Sequence, residues 1–140
     1  MTILVGHAHT PEGHAALDTA VEEARLRGTD LRVVRVLRQP TTDDPTHHRD
    51  WTGAVEQARR DAVRLEEELD AEGVEARAEV LTPTAQSVAD VLLEACVGGG
   101  VELLVIGLRS RSRVGKLLLG SVSQELLLQA DVPVLAVKPG

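Results

Sequence analysis

The sequence predicts an α/β protein: one open, five-stranded parallel sheet with helices on both faces. Two observations carry this. Short apolar, β-branched runs alternate with longer stretches of helical periodicity from one end of the chain to the other, the order that right-handed βαβ crossovers need. One of these runs, residues 101–106, is apolar almost throughout, as a strand buried on both faces must be, and it stops at Gly107. At 140 residues, 43% of them hydrophobic, the chain is long enough for a sizeable core, and residues 1–140 read as a single domain.

In order, Thr2–Gly6 reads as the first strand. Thr10 and Pro11 supply a cap and a proline at a first helical position, and Leu17, Ala20, Val21 and Ala24 keep one apolar stripe until Gly28. Residues 31–37 form a second strand interrupted by Arg32 and Arg35. The polar, proline-broken stretch 39–50 reads as a long loop, mobile or lid-forming. A long helix follows, with Val55, Ala58, Ala62, Leu65 and Leu69 on its apolar side and Gly73 at its end. Residues 74–81 alternate Ala76, Ala78 and Val80 against Glu75, Arg77 and Glu79, the pattern of a strand near a sheet edge with one face wet. Thr82-Pro83 turns the chain into a helix marked by Val88, Val91, Leu92 and Ala95 and closed by Gly98-Gly99-Gly100. After the 101–106 strand, a basic loop leads to Ser121 and Gln124, whose capping-box spacing opens the last helix. Asp131-Val132-Pro133 ends that helix, and Val134–Val137 is the final strand.

Composition excludes several classes of function. A net charge of −7 argues against broad attraction to nucleic acid or anionic lipid, and with no Phe, no Tyr and only Trp51 there is almost nothing on which bases can stack. No apolar run approaches a membrane span, and no basic prelude precedes the first strand, so neither a signal peptide nor an anchor is read. The lone Cys96 lies in an apolar helical pattern and reads as a packed thiol. A reducing, cytoplasmic setting is expected.

The chemistry concentrates after the 101–106 strand. Gly107, a loop holding Arg109, Arg111, Arg113 and Lys116, and a helix start at Gly120-Ser121 make an anion site: glycine lets backbone N–H groups approach a phosphate, and the positive end of the helix faces it. Gly115-Lys116 is not a P-loop, because Leu117 stands where Ser or Thr would bind magnesium. His7 and His9 offer two metal ligands with no third apparent, and no metal site is predicted. Ser110, Ser112, Ser121 and Ser123 lack a spaced His and carboxylate, so no catalytic centre is predicted.

With Gly107, Ser110, Gly120 and Ser121 in these places, the chain resembles the universal stress protein superfamily, whose members carry a Gly-x2-Gly-x9-Gly-Ser/Thr phosphate motif after their fourth strand. Three of the four positions match, Ser110 standing for the second glycine, and the resemblance runs through the whole chain, including the Pro133-Val134 approach to the last strand. It implies a Rossmann-like sheet of order 3-2-1-4-5 and a site for ATP or another adenine nucleotide, with or without magnesium. Carried onto this sequence, the site comprises Gly107, Arg109, Ser110, Gly120, Ser121 and Val122 around the phosphates, with Val36 against adenine. Ala8 stands where nucleotide-binding members usually place an aspartate, and His9 is a candidate contact in the space it leaves. The second reading is a dimeric scaffold of the same fold that binds no nucleotide, which Ala8 and Ser110 favour. In the implied order the last strand lies on an edge, apolar on both faces and free of the charges that blunt exposed edges, so a homodimer through it is expected.

Overall fold

The computed structural model describes residues 1–109 and 119–139. Five strands, β1 (Thr2–Gly6), β2 (Asp30–Val36), β3 (Ala76–Leu81), β4 (Val101–Gly107) and β5 (Val134–Val137), form one parallel sheet in the order β3-β2-β1-β4-β5. Four helices connect them: α1 (Pro11–Arg27), α2 (Pro45–Ala71), α3 (Val88–Cys96) and α4 (Ser121–Gln129). The predicted class and strand order both hold.

The two-residue alternation of the central strands sorts the core into two layers. Ile3, Val5, Leu31, Val33, Leu103 and Val105 point to one face, where Ala16, Ala20 and Ala24 of α1 and Leu69 of α2 cover them. Leu4, Val34, Leu104 and Ile106 point to the other, against Ala89 and Leu92 of α3 and Leu126 of α4. β1 and β4 are neighbours at the centre, with Val5 opposite Val105, which is why both read as nearly continuous apolar runs. α1 lies on β1 and β4 through a stripe of alanines four residues apart, so its axis comes close to the sheet. Cys96 packs beside the α3 and α4 layer, and burial raises its thiol above the ordinary range.

Two expectations need correction. Residues 45–50 are not loop but the opening turns of α2. Asp44 caps the helix, its Oδ1 accepting from the Thr46 N–H at 2.9 Å, and Pro45 occupies the first helical position, so the proline starts a helix rather than breaking a chain. The remaining connection is tied down: Trp51 Nε1 donates to the Leu37 carbonyl at 3.4 Å, and a His48 ring nitrogen lies 2.8 Å from the Thr42 carbonyl. The second correction concerns α4. Its cap is Gly120 rather than Ser121, and among the described residues no side chain caps its first turn, so the Ser121/Gln124 pair forms no capping box.

Candidate functional site

β1 continues through α1 toward the β2 side of the sheet, and β4 continues through α4 toward the β5 side. The carboxyl ends of β1 and β4 are therefore the switch point, where parallel sheets leave a crevice. A cleft of about 340 Å³ lies there, lined by the β1–α1 connection, the end of β4 and the first turn of α4.

Two glycines make this arrangement possible. A Cβ on Gly13 would fall onto the Ala8 carbonyl, and one on Gly107 would fall onto the Glu12 carbonyl and 3.0 Å from the Glu12 Cβ. The start of α1 is thus pressed against the ends of β1 and β4, and only hydrogen fits at either contact. α1 closes its own N-terminus: Thr10 Oγ1 accepts from the Gly13 N–H at 3.0 Å, and Pro11 has no N–H to offer.

Among the described residues no side chain caps the N-terminus of α4. Gly120 has an extended backbone (φ −64°, ψ 160°), its carbonyl accepts from the Gln124 N–H at 3.0 Å, and it has no side chain to offer the first-turn N–H groups. Ser121, Val122 and Ser123, which carry those groups, all line the cleft. Facing them, Arg109 Nε lies 3.5 Å from Glu12 Oε1, the arginine side chain 63% exposed and the carboxylate only 18%. First-turn N–H groups, one guanidinium and two serine hydroxyls are suited to holding an anionic group of phosphate size.

Of the residues assigned from sequence, Ala8, Gly107, Arg109, Gly120, Ser121 and Val122 line this one cleft. His9 lines a neighbouring pocket, Val36 packs beside the α3 and α4 core layer, and Ser110 lies outside the described residues, as do Arg111, Arg113 and Lys116. Thr10, Glu12, Gly13 and Ser123 also line the cleft and were not singled out as site residues. The Thr10-Pro11 cap was the available signal, since it sets the first turn of α1, and Glu12 and Gly13 with it, directly after the first strand.

The neighbouring pocket, of about 270 Å³, lies between α1, α2 and the strand ends and holds a third histidine that the sequence did not bring forward. His14, one turn into α1, returns toward His7 and His9, and the three ring centres stand 5.6, 5.6 and 5.8 Å apart. No set of three His, Cys, Asp or Glu among the described residues is arranged to hold a metal ion. His9 Nε2 lies 3.7 Å from Asp61 Oδ2, whereas His7 Nε2 is buried without a hydrogen-bond partner among the described residues. Burial first, then the charges of His9, His14 and Arg35, lower the His7 pKa to about 4, so its ring is neutral at neutral pH.

Residues 1–138 match the model of the universal stress protein family. A universal stress protein of Mycolicibacterium smegmatis is 40% identical over 137 residues, covering 98% of this chain and 97% of its own. Among solved structures, the universal stress protein of Archaeoglobus fulgidus in complex with dAMP superposes with a TM-score of 0.67 at 25% identity, covering 99% of this chain and 98% of that one. A universal stress protein solved in complex with cAMP gives a TM-score of 0.66 at 20% identity, with coverage of 100% and 98%.

Proposed function

The chain belongs to the universal stress protein family, and from that premise we propose that it binds ATP or a related adenine nucleotide in the cleft between β1 and β4, as a ligand-binding or signalling module of a stress response. The observation that carries this reading is the first turn of α4, which no side chain of the described residues caps and which lines a cleft at the switch point of the sheet. Phosphate oxygens accept from the N–H groups of Ser121, Val122 and Ser123 and from the serine hydroxyls, while Arg109 supplies a charged donor. Ser110, Val36 and His9 are assigned to the nucleotide on the family resemblance. The relatives solved with dAMP and with cAMP support an adenine ligand. A magnesium ion would accompany a triphosphate.

The protein acts in this reading as one cytoplasmic domain that pairs with a second copy through β5. Among the described residues no helix is long and apolar enough to cross a membrane. β5 is one of the two edge strands, and all four of its residues remain partly exposed. The rival reading, a scaffold of the same fold that binds no nucleotide, is favoured by Ala8, which brings no polar side chain to the cleft.

Gly120→Val separates the two. Among the described residues no atom lies within 4 Å of a Cβ built on Gly120, and its backbone angles suit any residue, so the fold should survive. Calorimetric titration with ATP, AMP and cAMP should show binding by the native chain and at least a tenfold weaker affinity in the variant, with an unchanged circular dichroism spectrum. Equal affinity in the folded variant would move the site elsewhere. No binding of any nucleotide by the native chain would favour the scaffold.

A further inference from the structure

Among the described residues that line the cleft, only two carry formal charge, Arg109 and Glu12, and they face each other. Glu12 is placed there by packing. It is the second residue of α1, after Pro11, and its backbone is pressed against Gly107 so closely that a Cβ would not fit between them. The carboxylate therefore cannot retreat by moving its root. Its side chain is only 18% exposed, so water screens it weakly. Its hold on Arg109 is loose at 3.5 Å, longer than the roughly 2.8 Å of a good charge-assisted bond. A phosphate entering the cleft meets a guanidinium that is already engaged and a negative charge that stays.

We propose that Glu12 is the charge-selecting residue of this cleft: a resident anion that a ligand's phosphate must displace from Arg109, so that affinity is reduced more steeply the more negative charge the ligand carries. The inference rests on the nucleotide-binding reading above and adds to it which property of the ligand this chain discriminates. When the cleft is empty, the carboxylate complements both Arg109 and the positive end of α4. When a phosphate arrives, Arg109 exchanges a loose carboxylate for an oxyanion it can grip with two parallel N–H bonds. The remaining Glu12–phosphate repulsion is felt least by an uncharged nucleoside and most by a triphosphate.

Glu12→Gln tests this with little change of shape. Titrations with adenosine, AMP and ATP are run in low salt with EDTA, on the native chain, Glu12→Gln, Arg109→Ala and the double variant. The expected pattern is unchanged adenosine affinity, a several-fold gain for AMP and a gain on the order of tenfold for ATP, shrinking as salt is raised. Arg109→Ala should weaken ATP binding more in the Glu12→Gln background, where the guanidinium is free, than in the native chain. A gain equal for adenosine and ATP, no gain, or equal Arg109→Ala costs in both backgrounds would overturn the role of Glu12 while leaving the nucleotide site standing. Absence of binding by every form, native included, would remove the site and the inference together.

Discussion

His7 gives the fold a pH dependence that a single substitution should remove. Its ring sits at the end of β1 with Nε2 buried and unpartnered among the described residues, and its pKa is lowered to about 4 from an ordinary 6.5. The unfolded chain takes up a proton near pH 6.5, whereas the folded one refuses it until about pH 4. The stability contributed by the neutral ring is complete above pH 6.5, is lost as pH falls through the window from 6.5 to 4, and changes no further below it. At about 1.36 kcal/mol per pH unit the ceiling over that window is near 3 kcal/mol, and solvent screening of a ring that is only partly buried reduces it to roughly 1–2 kcal/mol. His7→Leu removes the titrating group and the unpaired nitrogen together, in a pocket whose walls include Leu17, Val33 and Leu65. Urea unfolding of both proteins at pH 7.5, 5.5 and 4.5 isolates the effect, because the carboxylates add the same slope to each. The variant should gain roughly 1–2 kcal/mol on the native protein between the highest and lowest pH. A stability difference that stays constant with pH, or an NMR titration placing the His7 midpoint near 6.5, would refute this account.

Two further outcomes follow from the same geometry. Gly107→Ala should destabilise the protein by about 2–4 kcal/mol in chemical denaturation, because its Cβ meets Glu12 backbone that cannot yield, whereas Gly120→Ala, a change at a helix cap, should cost under about 1 kcal/mol; equal costs would contradict the close approach of α1. Sedimentation should show a native dimer at micromolar concentration and a monomer or aggregate for Val134→Asp, since an unpaired carboxylate would be buried between two β5 strands; a native monomer would defeat pairing through that edge.

The elements were legible where periodicity and punctuation agreed. Thr10-Pro11 and Gly28 mark both ends of α1, Gly28 taking the left-handed conformation (φ 63°) that a helix terminator requires. β4 announced itself by continuous apolarity, and the alternation of β3 matched its place at the edge of the sheet. Asp44-Pro45 misled because proline ends some elements and begins others; the aspartate before it, a cap within reach of Thr46, was the distinguishing sign. His14 was hidden for another reason. Nothing in a linear reading says that the first turn of α1 folds back over the end of β1, so a residue seven positions from His7 becomes its neighbour only in three dimensions. Glu12 escaped likewise, since its importance lies in facing Arg109 from the other side of the sheet's switch point.

The motif glycines do not all carry the same information. This chain has almost no aromatic side chains, so α1 covers the sheet with Ala16, Ala20 and Ala24 and lies close to it. That closeness forces glycine at positions 13 and 107, where α1 meets the ends of β1 and β4. Gly107 is therefore required by packing whether or not a phosphate ever binds, and its match to the family motif is weak support for a ligand. Gly120 is different. Its Cβ would meet no atom of the described residues within 4 Å, its φ of −64° is available to every residue, and Ser, Thr, Asp or Asn there would cap α4 at least as well. Nothing within the described fold needs a glycine at that position. A side chain there would crowd the N–H groups of Ser121 to Ser123, and that matters if a ligand must reach them. The case for an anionic ligand in this cleft thus rests more on Gly120 than on any other residue of the motif.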